Sequence, residues 1–247
     1  MQVPHFQYDS LASTNDQARE LLREYPVVFV SALYQSHGRG RRGRTWIGEP
    51  GKNVYCSLGQ RRPCPLSPQD MVALMALGAV AVWETVMSLT ASSDAFLLKY
   101  PNDLLGRHPD GGWRKLAGIL VEHRSLPELH AFASVVGIGI NVQQTRFSPS
   151  LASSATSLAL LGFSVGVEEV LEILLQRLEQ LLPLPSSTLI ALWRARLGIE
   201  GRLLRIEGRL GIWRAVAVHD DGRLEVEQSG VRMFVTDGDT VRYAEQA

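Results

Sequence analysis

The sequence predicts an α+β fold, in which a mixed β-sheet is flanked by helices and followed by a small β-barrel at the C-terminal end. Two observations indicate this organisation. Up to residue 197, apolar residues at helical spacing alternate with short, continuously apolar segments, as expected for helices that lie on a sheet. After Gly198 the chain changes to short alternating segments between turn residues, which favours a barrel of about 50 residues. We therefore expect two domains, residues 1–197 and 198–247.

The first half of the chain is expected to form two helices and two strands. Residues 13–17 supply N-cap side chains before an apolar helical pattern, so a short helix should begin there and end before Pro26. Strands are expected at residues 27–33 and 53–58, joined as a long hairpin. Residues 71–89 show apolar residues at helical spacing, and this helix should cover one face of the sheet.

The second half is expected to add three strands, two helices and an all-β tail. The further apolar strands are predicted at residues 95–100, 115–123 and 131–140, with a turn at residues 109–112. The helices are predicted at residues 167–182 and 189–197. The strands of the tail are predicted at residues 203–207, 213–218, 224–228, 232–235 and 240–243.

Composition and charge exclude several classes of protein. Lys plus Arg and Asp plus Glu number 25 each, so no overall field attracts nucleic acid. Cys56 and Cys64 are too few and too close for a disulfide framework, and no Cys/His group has zinc-ligand spacing. The N-terminal residues lack a signal sequence, and the apolar segment 71–89 contains Glu84. We expect a cytoplasmic protein with no membrane association and no metal site built by the protein alone.

The most informative segment is residues 38–46, which read Gly-Arg-Gly-Arg-Arg-Gly-Arg-Thr-Trp. Glycines let the backbone approach a ligand closely, and guanidinium groups suit phosphate and carboxylate oxygens. The segment therefore predicts either an anion-binding loop or an RNA-binding patch. For Arg42 and Arg44, solvated charges are an equal alternative, because alternate residues of an extended loop face opposite sides. Trp46 could serve only as a core anchor.

Three strand ends carry further polar residues. Residues 99–103 read Lys-Tyr-Pro-Asn-Asp, residues 115–118 read Lys-Leu-Ala-Gly, and residues 137–141 read Gly-Ile-Gly-Ile-Asn. Each segment alone has a structural interpretation: a solvated lysine, a turn, or glycines that relieve crowding in a strand. Their joint occurrence and order are more specific than any one of them.

With Ser-Thr-Asn at residues 13–15, these motifs resemble, in order, those of the biotin–protein ligases. The resemblance covers five motifs between residues 8 and about 180. It implies a class II synthetase-like catalytic domain followed by a small SH3-like barrel. Tyr100 replaces the family's usual Trp, which is a conservative change. The DNA-binding N-terminal domain of bifunctional members should be absent, since the motifs begin within the first fifteen residues, and we expect no DNA binding.

The resemblance implies that biotin and ATP, with Mg²⁺, form biotinoyl-5′-AMP. The biotinoyl group then passes to a lysine of the biotin carboxyl carrier domain of a biotin-dependent carboxylase. Related ligases use an exposed sheet edge for docking and for homodimerisation, so both a monomer and a homodimer remain open.

The resemblance also assigns roles to individual residues. Biotin-binding residues are Ser13, Thr14, Asn15, Gln35, Gly38, Arg39, Arg41, Lys115 and Gly118. Residues that bind ATP or the adenylate are Arg41, Arg44, Trp46, Lys99, Asn102 and Asn141. Catalytic residues are Lys115, Arg41 and Asp103, of which the two cations offset the repulsion between the biotin carboxylate and the phosphates.

Two alternative functions remain open at this point. A lipoate or octanoate ligase would share the fold and the adenylate chemistry. An RNA-binding module would need stacking aromatic residues around the arginines, whereas only Trp46 is near in the sequence.

Overall fold

The structure is a computed structural model that describes residues 3–244. The larger of its two sheets has seven strands in the order β1-β2-β3-β7-β6-β5-β4. These strands are β1 (His5–Leu11), β2 (Val27–Gln35), β3 (Asn53–Arg62), β4 (Phe96–Lys99), β5 (Asp103–Arg107), β6 (Trp113–Leu126) and β7 (Ala131–Asn141). Strand β1 pairs parallel with β2, and the remaining pairs are antiparallel. The predicted mixed sheet is therefore confirmed.

Helices cover both faces of this sheet. They are α1 (Thr14–Leu21), α2 (Pro68–Thr90), α3 (Val167–Leu181) and α4 (Ser186–Leu197). On β2, Val28 and Val30 pack in the cluster under α1, whereas Phe29 packs in the cluster that contains α2. This alternation follows from the two-residue period of a strand. Helices α3 and α4 pack against α2 on its outer side.

Helix α2 is the central core helix. The side chain of Ser67 caps it by accepting a hydrogen bond from the backbone N–H of Asp70. A Cβ at Gly78 would lie 2.8 Å from Val136 Cγ1, so the absence of a side chain lets the helix approach β7 closely. The helix is long and apolar enough to cross a membrane by length and composition alone, but 61% of that segment is buried inside the protein. Its apolar surface is accounted for by packing.

The C-terminal residues form a second sheet of five strands in the order β11-β10-β9-β8-β12. These are β8 (Leu203–Ile206), β9 (Trp213–Val218), β10 (Leu224–Gln228), β11 (Val231–Val235) and β12 (Val241–Tyr243). All pairs are antiparallel, and the two outer strands do not pair with each other within residues 3–244. The sheet is thus open, and the closed barrel expected from the sequence is not confirmed.

Two strands of the large sheet were not predicted. Strand β1 lies at an edge and leaves several of its side chains exposed, so it lacks the apolar pattern that marks a buried strand. Strand β5 has only five residues and begins two residues after Pro101, where the sequence favours a turn. Strand β1 is held by pairing with β2, and β5 by pairing with β4 and β6 on either side of it in the sequence.

Candidate active site

A cavity of about 470 Å³ lies where the five sequence motifs meet. Every residue to which the sequence analysis gave a role lines this cavity, with the exception of Gly38. The backbone carbonyl of Gly38 accepts a hydrogen bond from the N–H of Trp46 at 2.9 Å, so Gly38 closes the base of the arginine-rich loop. Residues far apart in the sequence therefore share one surface.

Strand register brings three of the motifs together. Gly118 on β6 lies opposite Gly139 on β7, and Asp103 on β5 lies opposite Gly118 on its other side. Asn141 at the end of β7 pairs with Asn53 of β3. The pairing of antiparallel neighbours fixes their register to within one residue. The polar ends of these strands therefore lie together at one end of the sheet.

One wall of the cavity is a buried cluster of neutral polar side chains. The backbone N–H and the hydroxyl of Thr14 both donate to Gln35 Oε1, at 2.7 Å and 3.0 Å. The hydroxyl of Ser57 lies 2.8 Å from Thr14 Oγ1 and 2.7 Å from Asn15 Oδ1. Ser13, the N-cap residue of α1, is buried beside them. The sequence analysis missed Ser57, because a single serine within a strand carries no local signal.

The absence of a side chain at Gly137 leaves the space that Asn15 of this cluster occupies. A Cβ at Gly137 would lie 2.3 Å from Asn15 Oδ1, and Asn15 is itself buried. We expect Gly137→Ala to destabilise the fold by about 1–3 kcal/mol, since Asn15 must move from its hydrogen bonds. Thermal unfolding would measure the change. Gly166→Ala is the control, because its Cβ would meet nothing closer than 3.7 Å; an equal effect of both substitutions would contradict the prediction.

The arginine-rich loop, residues 38–46, is a small closed hairpin between β2 and β3. The N–H of Gly40 donates to the carbonyl of Arg44 at 2.7 Å, and Arg39 and Thr45 form a β-bridge. Its tip is a single 3₁₀ turn at residues 41–43. The loop is therefore ordered by its own backbone, and it projects its arginines in different directions.

The partners of these arginines differ. Arg41 Nη1 donates to Asn102 Oδ1 at 3.0 Å, and Arg41 Nε lies 3.4 Å from Asp239 Oδ2. Arg42 pairs with Asp237 and does not line the cavity, whereas Arg44 does. Arg42 thus lies outside the cavity and is paired with an aspartate, whereas Arg44 is exposed at the rim of the cavity.

The cavity floor consists of Gly118 and Gly139, with the indole of Trp46 lying on them. A Cβ at Gly139 would lie 2.6 Å from Trp46 Cε2, and one at Gly118 would lie 3.0 Å from Trp46 Cζ3. The buried Nε1 of Trp46 has no hydrogen-bond partner within the described residues. An aromatic ring and an orphaned donor on a glycine floor form a surface suited to a flat, polar-edged ring.

Lysine side chains add positive charge beside this floor. Lys115 Nζ lies 2.7 Å from Asp103 Oδ1 and 5.4 Å from the centroid of the Trp46 ring. Burial lowers the pKa of Lys99, and the nearby Asp103 carboxylate opposes that effect. Both ammonium groups would gain from an anionic ligand, which would replace the water that burial removes.

Two amides frame the same region. Asn102 Nδ2 donates to the carbonyl of Ile119 at 2.8 Å, and Asn141 Nδ2 donates to the carbonyl of Thr156 at 2.9 Å. Both side chains are buried. Each of these bonds uses one of the two N–H donors of the amide, and Asn102 Oδ1 also accepts from Arg41 Nη1.

The C-terminal sheet contributes to the cavity, which the sequence analysis did not predict. Gly238, Asp239 and Arg242 line it. The contact is close, because a Cβ at Gly238 would lie 2.5 Å from Pro101 Cδ. The hydroxyl of Tyr100 donates to the carbonyl of Gly222 at 2.7 Å, and burial raises the pKa of Tyr100 to about 12.

The arrangement suits a ligand with both a neutral polar ring and negative charge. Neutral hydroxyls and amides line one wall, and six cationic residues line the remainder: Arg39, Arg41, Arg44, Lys99, Lys115 and Arg242. Among residues 3–244, no group of three His, Cys, Asp or Glu side chains could hold a metal ion.

Comparison with known proteins identifies relatives over most of the chain. The biotin/lipoate A/B protein ligase family matches residues 9–141. The biotin–[acetyl-CoA-carboxylase] ligase of Mycobacterium tuberculosis is 32% identical over 95% of this chain and 88% of that protein. The bifunctional ligase/repressor BirA of Escherichia coli is 36% identical over 49% of this chain and 35% of that protein. The biotin protein ligase of Aquifex aeolicus, solved with biotin and ATP, shares the fold with a TM-score of 0.73 at 23% identity over 98% of this chain and 99% of that one.

Proposed function

The chain belongs to the biotin/lipoate A/B protein ligase family, and on that basis we propose that it is a biotin–protein ligase. It activates biotin with ATP to biotinoyl-5′-AMP and transfers the biotinoyl group to a lysine of a biotin carboxyl carrier domain. The observation that carries the proposal is the single cavity that joins a neutral polar wall to a cationic loop. The relative from Mycobacterium tuberculosis, which bears this activity in its name, supports it.

The neutral wall suits the ureido ring of biotin. That ring has one carbonyl acceptor and two N–H donors, and it carries no charge. Buried hydroxyls and amides can pair with these groups, and we assign them to Ser13, Thr14, Asn15 and Gln35, with Gly38 and Gly118 giving room. Lipoate and octanoate have no such ring and would leave the polar groups unpaired, at about 1–3 kcal/mol each. The wall therefore favours biotin over these acids.

The cationic side chains suit the first reaction step. The biotin carboxylate attacks the α-phosphorus of ATP, and pyrophosphate leaves. Two unit charges 4 Å apart repel by about 4 kcal/mol at an effective dielectric near 20, so the step needs compensating charge. We assign this to Lys115 and Arg41, and to Mg²⁺ carried with ATP on the pyrophosphate.

The remaining polar residues hold the nucleotide. Lys99 and Arg44 are assigned to its phosphates, Asn102 and Asn141 to the polar edge of the adenylate, and Trp46 to stacking on adenine. The loop then closes over the mixed anhydride and excludes water, which would otherwise hydrolyse it.

In the second step, the ε-amine of the carrier lysine attacks the acyl carbon and AMP leaves. The amine must first lose a proton to become a nucleophile. We assign Asp103 to this step, either as the proton acceptor or as the group that orients the amine; its Oδ1 lies 2.7 Å from the ammonium of Lys115.

Exchange of labelled pyrophosphate into ATP, with Mg²⁺ and a single added acid, tests the proposal. Exchange with biotin, and none with lipoate, octanoate or no acid, is the expected result. Exchange with lipoate or octanoate would make the protein a ligase for those acids. The RNA-binding alternative is not favoured, because the relatives of this chain are biotin ligases.

Docking of the carrier domain of a biotin-dependent carboxylase is proposed at an edge of the large sheet. The outer edge of β1 has no strand partner within residues 3–244, and peptide groups at such an edge can accept another strand. A homodimer through the same edge is the competing arrangement, and sedimentation of the isolated protein would distinguish them. The proposal includes no DNA binding, and it places the enzyme in the cytoplasm.

We further propose that residues 1–197 and 198–247 are separate domains, the second related to SH3-like barrels, and that the second positions the loop tip. Its residues Asp237 and Asp239 pair with Arg42 and Arg41. Replacing both aspartates by asparagine should raise the KM for ATP by about threefold to tenfold, because the tip loses its ionic partners. Initial rates of exchange at varied ATP would measure it.

Glu227→Gln is the matched control for this double variant. Glu227 lies in the same sheet and pairs with Arg214 at 3.7 Å, away from the cavity. An unchanged KM for ATP in the double variant would remove the proposed role of the C-terminal sheet.

A further inference from the structure

Arg39 differs from the other arginines of the loop because both of its terminal nitrogens are engaged. Nη1 donates to Asp16 Oδ2 at 2.6 Å, and Nη2 donates to Asp16 Oδ1 at 2.9 Å and to Glu122 Oε2 at 2.9 Å. The carboxylates raise the pKa of Arg39, and hydrogen bonds from Arg39 lower the pKa of Asp16. Its guanidinium is therefore held between helix α1 and strand β6.

The same carboxylates connect Arg39 with the neutral polar wall. Glu122 Oε2 also accepts a hydrogen bond from Asn15 Nδ2 at 2.7 Å. Burial alone would raise the pKa of Glu122, but the hydrogen bonds from Arg39 and Asn15 lower it. Asn15 Oδ1 in turn accepts from Ser57. One chain of hydrogen bonds thus runs from the base of the loop to the groups assigned to the biotin ring.

The two ends of the loop are held differently. At the tip, Arg41 makes a single hydrogen bond to an amide and a longer ionic contact of 3.4 Å. At the base, Arg39 makes three charge-assisted hydrogen bonds to two carboxylates. Isolated surface ion pairs contribute little to stability, but bidentate geometry within a network is the exception to that rule. The base is the fixed end, and the tip is the end that can exchange a protein partner for a phosphate.

We propose that Asp16 and Glu122 are positioning residues that anchor the loop through Arg39 and couple occupation of the biotin pocket to loop closure. This inference rests on the proposed function. Although Arg39 lines the cavity, its guanidinium is bound to these two carboxylates, so we assign it to the base of the loop instead of to biotin. When biotin fixes Thr14 and Asn15, Glu122 is fixed with them, and residues 40–44 close from a defined base. Without the anchor, the open loop samples more conformations, so closing it over the ligand costs more conformational entropy.

The test compares Asp16→Asn and Glu122→Gln, which remove charge but keep shape. Both should raise the KM for biotin by about tenfold, the effect of losing a charge-assisted contact, and should change kcat by less than about threefold. Glu20→Gln on the same helix is the control, because Glu20 pairs with Arg23 at 3.1 Å on the exposed face. It should leave both constants unchanged.

Limited digestion by trypsin, which cleaves after the loop arginines, gives a second readout that needs no turnover. Both variants should be cut within residues 39–44 faster than the unaltered protein without ligand, and biotin should protect them less. An unchanged KM for biotin together with unchanged cleavage would overturn the inference, as would a fall in kcat at constant KM. Absence of biotin-dependent exchange in the unaltered protein would instead reject the proposed function, so the two failures are distinguishable.

Discussion

Replacing Lys115 by alanine should abolish adenylate formation, lowering biotin-dependent exchange of pyrophosphate into ATP by a factor of about 100 or more. Lys115 lies at the start of the apolar part of β6, and its ammonium is fixed between Asp103 at 2.7 Å and the face of Trp46 at 5.4 Å. A charge held in this way needs no reorganisation when the carboxylate meets the α-phosphate. Without this charge, the repulsion between the biotin carboxylate and the α-phosphate is less well compensated. Asp103 also loses its partner in the ion pair.

The matched control is Lys52→Ala. The sequence has three lysines, and Lys52 is exposed and lies outside the cavity that Lys99 and Lys115 line. Exchange rates should be measured at saturating biotin and ATP, so that a weaker Kd does not imitate a slower reaction. Near-normal exchange by the Lys115→Ala protein would show that the cationic role belongs to another residue.

The sequence could single out these residues, which line one cavity, because each lies in a short and distinctive segment. Lys115, Asp103 and Arg41 each belong to a run of glycines, prolines or polar residues that is unusual within an apolar strand pattern. The helices were predictable for a similar reason, since their spacing is local. The mixed sheet and the positions of most strands followed from the same patterns.

The remaining parts of the site depend on contacts between distant segments. Ser57 and Glu122 are single polar residues within strands, and only the register of β3 and β6 directs them to Asn15. Asp239 reaches Arg41 because Gly238 packs on Pro101. Such residues are not part of a local sequence motif, because the tertiary fold determines which residues they contact. The open C-terminal sheet likewise reflects which strands pair, which alternation alone does not determine.

Arg41→Gly should give the second large effect, which concerns retention of the intermediate. The tip of the loop is attached to the cavity through Arg41, by its contacts with Asn102 and Asp239. A glycine removes both contacts and widens the conformations open to a loop that already contains three glycines. Lys115 still supplies part of the compensating charge, so biotinoyl-5′-AMP still forms, although more slowly. The adenylate should then leave before a carrier lysine arrives.

Released biotinoyl-5′-AMP is a mixed anhydride, and it acylates exposed amines without selection. Serum albumin, which is not a carrier protein, should therefore become biotinylated at least about tenfold faster with the Arg41→Gly protein than with the unaltered one. Streptavidin blotting of albumin during turnover would measure this. The control is Arg209→Gly, because Arg209 is exposed in the segment after β8 and does not line the cavity.

The two predictions separate the functions of strand and loop. Lys115, on a strand, should mainly govern the rate at which the adenylate forms. Arg41, on the loop, should mainly govern how long the adenylate stays bound. Labelling of albumin at the unaltered rate by the Arg41→Gly protein would mean that the loop closes without Arg41. Closure would then depend on its fixed end, where Arg39 is held by Asp16 and Glu122, and the Asp16→Asn protein should be the one that releases the adenylate.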